Sequence, residues 1–378
     1  MQWISADQVF DGHHLLAQHA IGITDGTVSA VRATHDLAPN QITAHYTGTL
    51  SPGFCDIQVN GGGGALLNTA PTPAGIATII AAHRRFGTTA LMPTVITDAP
   101  EVLEAAVAAT LAAKDTQGLA GLHIEGPHIA QAKRGTHACA HIRPCDQHTL
   151  HLIQQLRAAD IPTLITLAPE AATIADVTAL RDCGAIVSIG HSNATAEQVA
   201  PFLKAGAACF THLFNAMSPM QARAPGVTGA AIASDAYCSI IADGIHVDPA
   251  MVRLAIRARP KAHRMIAVSD AMATVGGADH FTLYGQDIHL KDGRLINAEG
   301  ALAGAHLTML EALQNLIRWG IAPETAFQMC RSNPFTLIGQ PEQAALIGQD
   351  IADIIVLDRA LGLISVGLTS AQTDKNTA

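Results

Sequence analysis

Eight short apolar runs recur between about residues 54 and 340, and stretches with helical character separate several of them. In chain order they read FCDIQV, TALMPTV, GLHIE, TLITLA, AIVSIG, CFTHL, CSIIAD and MIAVSD. Such runs suit buried strands, and segments such as DQHTLHLIQQLRAA suit the helices between them. Eight βα units predict an α/β fold whose parallel sheet closes into a (β/α)8 TIM-like barrel. A doubly wound open sheet is the alternative, although no G-x-G-x-x-G motif follows the first run.

The two ends of the chain, and one segment near residue 292, have β-strand character instead. IGITDGTVSAV alternates apolar and polar positions around Asp25-Gly26, which is a two-residue hairpin signal. Asp292-Gly293 marks a second hairpin, and GQDIADIIVLD reads as one more apolar strand near the C-terminus. The last ten residues, TSAQTDKNTA, are polar, and we expect them to fray.

The composition excludes several classes of protein. With 49% hydrophobic and 14% charged residues, the 378-residue chain is typical of a compact globular protein. A net charge of −9 without a Lys or Arg run argues against nucleic acid and anionic membranes as partners. The N-terminal stretch has no signal-peptide pattern, and the apolar runs are too broken for a membrane span. Seven cysteines without C-x-x-C predict reduced thiols in a cytoplasmic protein.

Polar side chains stand at the carboxyl ends of several runs, where the chemistry of such barrels collects. Glu125 ends the third run, His191 follows the fifth, and His212 lies in the sixth. His246 follows the seventh run and Asp270 ends the eighth. One glutamate and two histidines form an oxygen and nitrogen set that suits a catalytic divalent metal with an open position for water.

A reaction follows from this ligand set. A bound metal lowers the pKa of its water to about 7, so that the water becomes a nucleophile near neutrality. Another group must take a proton from that water and deliver one to the leaving group. Asp270, on a different strand from the three ligands, is our candidate. The residues therefore predict metal-assisted hydrolysis of an amide or a related bond.

A set of motifs, in order from about residue 50 to residue 360, resembles the N-acetylglucosamine-6-phosphate deacetylases of the amidohydrolase superfamily. The motifs are PGFCDIQVNGGGG, LMPTVIT, HIEGPHI, GHSNAT, THLFNAM, IADGIHV, VSDAM, LAGAHLTM and ADIIVLD. The resemblance implies a barrel plus a small β-sandwich domain formed from both chain termini. We place the sandwich at residues 1–50 plus 345–378 and the barrel at 51–344. The resemblance also implies conversion of N-acetylglucosamine 6-phosphate to glucosamine 6-phosphate and acetate.

The resemblance assigns roles to the residues of the reaction centre by motif position. Glu125, His191 and His212 correspond to the family's metal ligands. Asp270 corresponds to its catalytic acid and base. His137, in RGTHACA, corresponds to a histidine that polarises the acetyl carbonyl of the substrate.

The resemblance also assigns substrate contacts. His246, Arg223 and the Asn215-Ala216 turn correspond to the groups that hold the sugar and its phosphate. A guanidinium suits the geometry of phosphate. In the family this arginine reaches the site of the neighbouring subunit, so the resemblance implies a homodimer.

The residues at the end of the first barrel strand bear on the number of metal ions. Many superfamily members carry His-x-His there, and that pair can bind a second metal. Positions i and i+2 of a strand share a face, and here Gln58 and Asn60 occupy them. Neutral amides are weak ligands, and TLITLAPE lacks a bridging lysine, so we expect one metal per subunit. Zinc suits the ligand set best, and iron, manganese, cobalt or nickel can use it. His123 lies two residues before Glu125 and shares its face of the strand. Three roles are open to it: a metal ligand, a hydrogen-bond partner of the Glu125 carboxylate, or a core residue. We favour the hydrogen-bond partner.

Two other functional classes stay open. One is a different hydrolase of the superfamily, acting on another N-acyl amino sugar such as N-acetylgalactosamine 6-phosphate, a cyclic amide or an aminated base. The other is a non-catalytic binding protein on the same barrel. The presence of all three candidate ligands and of Asp270 argues against that second class.

Overall fold

The computed structural model of the protein describes residues 1–368, and the polar terminus at 369–378, which we expected to fray, lies outside the described residues. The strands of the described part are β1 (Gln2–Phe10), β2 (Leu15–Thr24), β3 (Thr27–Ala33), β4 (Ile42–Pro52), β5 (Phe54–Val59), β6 (Gly61–Gly62), β7 (Ala65–Leu66), β8 (Thr88–Ile96), β9 (Leu122–Glu125), β10 (Thr163–Leu167), β11 (Ile186–Ile189), β12 (Cys209–Phe210), β13 (Tyr237–Ile241), β14 (Met265–Val268), β15 (His280–Leu283), β16 (Gln286–Lys291), β17 (Arg294–Ile296), β18 (Leu302–Ala305), β19 (Ile354–Leu357) and β20 (Leu363–Val366). The α-helices there are α1 (Pro73–Arg84), α2 (Pro100–Ala112), α3 (Gln147–Ala158), α4 (Ile174–Asp182), α5 (Ala196–Ala205), α6 (Gly226–Ala233), α7 (Pro249–Ala258), α8 (Met309–Arg318), α9 (Pro323–Cys330) and α10 (Ser332–Leu337).

Eight parallel strands form the barrel, in the order β5-β8-β9-β10-β11-β12-β13-β14. They coincide with the eight apolar runs, so the predicted barrel is confirmed. The strands are buried along almost their whole length, as expected for a parallel sheet covered by helices. Backbone hydrogen bonds close the ring between β14 and β5: Asp270 N donates to Gln58 O at 3.0 Å, and Asn60 N donates to Ala271 O at 2.9 Å.

Local capping signals fix the helices between the strands. The side chain of Asp146 accepts a hydrogen bond from Thr149 N at the start of α3. Thr195 and Gln198 form a capping box at the start of α5, and Gly206, with φ +116°, caps the C-terminus of that helix. Because a helix returns the chain after each strand, the carboxyl ends of all eight strands lie on one face of the barrel.

A second, six-stranded sheet combines the two ends of the chain, in the order β20-β19-β4-β1-β2-β3. β4 lies parallel to β1 and antiparallel to β19, with Leu50 opposite Val356. The Asp25-Gly26 hairpin joins β2 to β3 as predicted. One side of the sheet covers an apolar cluster that contains Ile4, Val9, Ile21, Leu50 and Ile354. The small domain therefore uses both termini, and the residue boundaries that we assigned to it stay a prediction.

A four-stranded antiparallel sheet, β15 to β18, is inserted between the last barrel strand and α8. The predicted Asp292-Gly293 hairpin joins β16 to β17. Phe281, Leu283 and Leu295 of this sheet pack on Leu66 and Met272 beside the catalytic face of the barrel. The insertion therefore covers part of that face.

All seven cysteines are free thiols. Within residues 1–368, no helix has the length and apolar character that a bilayer crossing requires. A cytoplasmic location stays a prediction from the sequence.

A buried carboxyl group lies at the closure of the barrel. Asp56 on β5 accepts hydrogen bonds from Gln58 N at 3.2 Å and from Ser269 N of the β14 end at 3.2 Å. Burial raises the pKa of Asp56 from 3.8 to about 7, although hydrogen bonds from Ser269 and Gln58 oppose the rise. The folded state therefore favours the protonated form over a wider pH range than the unfolded chain does.

We expect this group to make stability depend on pH. Because the folded pKa lies above the unfolded one, the stabilisation is complete below about pH 4 and disappears as the pH rises through about 7. The free energy of unfolding of the wild type, relative to Asp56→Asn, should fall by about 2 kcal/mol from pH 5 to pH 7 and then level off. Parallel denaturant titrations measure this difference, with Asp25→Asn on the exposed hairpin as the control. A difference that is constant across pH would contradict the assignment.

Candidate active site

Three side chains from the ends of three barrel strands meet at one point. Glu125 ends β9, and His191 and His212 follow β11 and β12. Glu125 Oε1 lies 3.0 Å from His191 Nε2 and 2.9 Å from His212 Nε2, and the two Nε2 atoms are 3.0 Å apart. The exposed fraction of each side chain is 6% or less. The structure thus brings together the three residues that the sequence predicted as metal ligands.

The chemistry of this donor set fits a divalent cation. His191 Nδ1 lies 2.8 Å from the carbonyl oxygen of Lys133, which only accepts, so Nδ1 carries the proton and Nε2 presents its lone pair. Burial acts to raise the pKa of Glu125, but its contacts with the His191 and His212 rings outweigh this effect and hold that pKa well below its usual range. Burial acts to lower the pKa of His212, yet Glu125 raises it overall. The cluster therefore attracts positive charge, and one carboxylate with two imidazoles suits a metal site.

Two amides hold the Asp270 carboxylate beside this cluster. Asp270 Oδ1 accepts hydrogen bonds from Asn60 Nδ2 at 2.7 Å and from Gln58 Nε2 at 3.2 Å. Gln58 Nε2 also lies 3.2 Å from Glu125 Oε2. Burial raises the pKa of Asp270 to about 6, and the negative charge of Glu125 adds to the rise. Gln58 and Asn60 stand at the positions where other superfamily members carry the His-x-His pair that binds a metal. Here both side chains donate hydrogen bonds to carboxylates.

His137 enters the same cavity from the segment after β9. Its Nδ1 accepts a hydrogen bond from Thr97 N at 3.3 Å and lies 2.8 Å from Thr97 Oγ1. Burial lowers the pKa of His137 well below its usual range, and the nearby His191 lowers it further. The ring is therefore neutral, and because Nδ1 accepts, its proton lies on Nε2. His137 is oriented to donate one hydrogen bond.

A cavity of about 300 Å³ contains these groups. Asn215, Ala216 and His246 line it together with the three ligands, His137 and Asp270. His246 Nδ1 lies 2.6 Å from Asp243 Oδ2, which leaves Nε2 for a ligand. Arg223 is the predicted site residue that the single chain does not bring to the cavity, because it lies exposed on the Gln221–Ala224 turn.

Left-handed backbone conformations recur at the predicted site residues. The φ angles are +48° at His191, +35° at His212, +51° at Ala216 and +51° at Asp270. Residues with a Cβ rarely adopt such angles, and strained positions of this kind gather at functional sites. At His191, His212 and Asp270 a sharp turn thus follows the strand, and all three residues line the cavity. The apolar runs do not indicate these turns.

His123 does not support the Glu125 carboxylate as we predicted. Its Nε2 lies 2.8 Å from Thr166 Oγ1 and its Nδ1 lies 3.5 Å from Thr94 Oγ1, so both ring nitrogens face threonine hydroxyls inside the barrel. Burial lowers the pKa of His123 to about 4, and the ring is neutral. Gln58 takes the predicted role, because its amide contacts Glu125.

Sequence reasoning missed two parts of the cavity wall. Lys133 lines the cavity and its carbonyl oxygen orients His191. Ala301, Leu302 and Gly304 bring the inserted sheet to the opposite side. The position of Lys133, four residues before His137 in AKRGTH, was the available signal for the first part. No periodicity in the sequence places the inserted sheet over the barrel.

Comparisons with known proteins agree with this geometry. The chain is 40% identical over 354 residues to an N-acetylgalactosamine-6-phosphate deacetylase of Shewanella sp. (strain ANA-3), covering 91% of this chain and 89% of the relative. It is 33% identical over 340 residues to an N-acetylglucosamine-6-phosphate deacetylase of Haemophilus influenzae, covering 88% of each. The crystal structure of N-acetylglucosamine-6-phosphate deacetylase from Pasteurella multocida superposes with a TM-score of 0.87 at 30% identity, covering 96% of this chain and 97% of that one. A model of the amidohydrolase family matches residues 49–377, and the chain belongs to this family.

Proposed function

We propose that the protein removes the acetyl group of N-acetylglucosamine 6-phosphate by hydrolysis and releases glucosamine 6-phosphate and acetate. The convergence of Glu125, His191, His212, His137 and Asp270 in one cavity carries this proposal. It joins a metal-binding set to a proton carrier and a hydrogen-bond donor, which are the groups that amide hydrolysis needs. The related deacetylases supply the substrate class.

Glu125, His191 and His212 would hold one divalent metal, for which zinc is our choice over iron, manganese, cobalt or nickel. When bound, such a metal lowers the pKa of a water to about 7 and polarises the amide carbonyl. The ligand set consists of one carboxylate and two imidazoles. The metal content of the purified protein tests both the number and the identity of the ions.

Other side chains of the cavity transfer protons, stabilise charge and bind the substrate. Asp270 takes a proton from the attacking water and gives one to the sugar nitrogen as the carbon–nitrogen bond breaks. Gln58 and Asn60 occupy its Oδ1, which leaves Oδ2 for the proton. The Nε2 proton of His137 stabilises the negative charge that grows on the acetyl oxygen. Asn215, Ala216 and His246 line the part of the cavity that we assign to the sugar phosphate.

The epimer is the second candidate for the substrate. The relative at 40% identity is named for N-acetylgalactosamine 6-phosphate, which favours that sugar as the alternative. Acetate release from both 6-phosphates and from their unphosphorylated forms tests the proposal. Equal rates with and without the phosphate would contradict the assignment of the phosphate site. Absence of acetate release from all four sugars would contradict the proposed deacetylase activity.

We infer that the protein acts as a homodimer in which Arg223 completes the neighbouring site. Its exposed position, away from the cavity of its own chain, supports this arrangement. Loss of a charged contact to the phosphate should lower kcat/KM of Arg223→Ala about 10-fold or more. Mixed dimers of Arg223→Ala with Asp270→Asn, made by co-expression, should regain activity because one site in each then has both residues. Mixed dimers no more active than the two parents together would show that the arginine does not act in trans.

A further inference from the structure

One phenol connects the inserted sheet to the active-site ring of His137. Tyr284 lies in the two-residue turn between β15 and β16, where Leu283 pairs with Gln286. Its ring packs against the apolar cluster that joins this sheet to the barrel, and its hydroxyl donates a hydrogen bond to the carbonyl oxygen of Thr97. The N–H and the hydroxyl of Thr97 contact His137 Nδ1. A single residue therefore separates the phenol from the ring that we assign to the acetyl oxygen.

The backbone of this turn is unusual for a tyrosine. The φ angles are +52° at Tyr284 and +74° at Gly285. A two-residue turn with both angles positive favours Asn, Asp or Gly at its first position, because a larger side chain is strained there. Burial raises the pKa of Tyr284 above its usual value, so the hydroxyl keeps its proton and stays a donor. The hydrogen bond to Thr97, which lies outside the turn, gives a tyrosine at this position a purpose.

Thr97 is held on both sides of its Cα atom. Asn68 Nδ2 donates to Ile96 O at 2.9 Å, which fixes the peptide whose N–H donates to His137 Nδ1. Tyr284 holds the carbonyl oxygen of the next peptide. Because both peptides are anchored, the N–H and Oγ1 of Thr97 are directed at the same ring nitrogen. Loss of the Tyr284 anchor would let Thr97 rotate and would release the His137 ring.

A second connection leads from the backbone of His137 to the same sheet. Arg134 donates to the carbonyl oxygen of His137 at 3.2 Å and pairs with Glu299, between β17 and β18, at 2.5 Å. The Glu299 side chain is 57% exposed, and exposed ion pairs contribute little. The hydrogen bond of Tyr284 ends on a buried residue, so it is the stronger of the two connections.

We propose that Tyr284 is a positioning residue that acts through Thr97 to hold His137 in the orientation and tautomer needed at the acetyl oxygen. This inference rests on the proposed function and deepens it. Since Nδ1 accepts from Thr97, the ring proton lies on Nε2. A ring without this contact can turn or carry its proton on Nδ1, and it then no longer donates to the substrate. The inserted sheet thus contributes to the rate of the reaction as well as to the cavity wall.

Tyr284→Phe tests the proposal, because phenylalanine keeps the packed ring and removes only the hydroxyl. We expect kcat for the N-acetyl sugar phosphate to fall about 10-fold, the equivalent of one hydrogen bond, with KM nearly unchanged. In a His137→Ala background the same substitution should change kcat by less than about 2-fold, because Tyr284 acts only through that ring. Tyr46→Phe is the matched control, since it removes a buried hydroxyl in the small domain, and it should keep the wild-type kcat.

Two kinetic results would overturn the inference. An unchanged kcat in Tyr284→Phe would show that the hydroxyl does not serve the reaction. An equal loss with and without His137 would show that Tyr284 acts by another route.

A crystal structure of Tyr284→Phe keeps the inference separate from the proposed function, because it needs no substrate. We expect the His137 ring to leave its position beside Thr97 N. A ring that stays in the wild-type position would contradict the inference. Absence of acetate release by the wild type would instead contradict the proposed function, and the structural test would still decide the role of Tyr284.

Discussion

Asp270→Asn is expected to lower kcat by about 10²- to 10⁴-fold, the range that a positioned general acid and base supplies. The asparagine oxygen can still accept from Gln58 and Asn60, which now hold Oδ1 of the aspartate. The fold and the metal site should therefore persist. An amide cannot carry the proton between the water and the leaving nitrogen, so the loss should appear in kcat more than in KM.

Steady-state acetate release and metal analysis of the same preparation measure this prediction. The pH dependence adds a second readout, because burial and the negative charge of Glu125 raise the pKa of Asp270 to about 6. The acid limb of the wild-type kcat profile should disappear in the variant. Near-normal turnover in Asp270→Asn would remove Asp270 from the reaction.

Glu125→Gln is expected to abolish both metal binding and activity. The carboxylate is the one negatively charged member of the ligand cluster, and its Oε1 contacts both His191 Nε2 and His212 Nε2. A neutral amide does not offset the charge of the cation, so metal affinity should fall by more than the loss of about 10- to 100-fold that is typical of changing an outer partner. The thermal stability gained by adding zinc to the metal-free protein should also vanish.

Metal content per chain decides this second prediction. Glu104→Gln is a matched control, because that glutamate lies on the surface with half of its side chain exposed. The control should bind as much metal as the wild type and keep its activity. One tightly bound metal per chain in Glu125→Gln would contradict the ligand assignment.

The strands of the barrel were predictable because burial on both faces requires continuous apolar runs. The strand ends were less predictable. The run CFTHL predicts a strand through His212, yet β12 ends at Phe210 because the chain then turns with φ +35° at His212. MIAVSD likewise ends as a strand at Val268, and Asp270 follows with φ +51°. At both places the demands of the site override the strand pattern.

The identities of the ligands were predictable from the rule that polar strand ends share one face of a barrel. Their partners were not. The tautomer of His191 depends on a carbonyl oxygen 58 residues away, and every residue has such a carbonyl. The misassignment of His123 has a similar cause: strand alternation gives the face of a side chain, and the hydroxyl that its ring contacts depends on the neighbouring strand.

The pairing of β4 with β19 has a consequence for how the protein is made. Leu50 lies opposite Val356, so a ribosome must finish the whole barrel before the N-terminal strands gain their neighbour. Until then the edge of β4 exposes unpaired backbone groups, a state prone to pairing with other chains. Completion of the small sheet is a contact between distant parts of the chain, which is intrinsically slow. We therefore expect the nascent chain to be more prone to pairing with other chains than a protein whose domains follow one another in sequence.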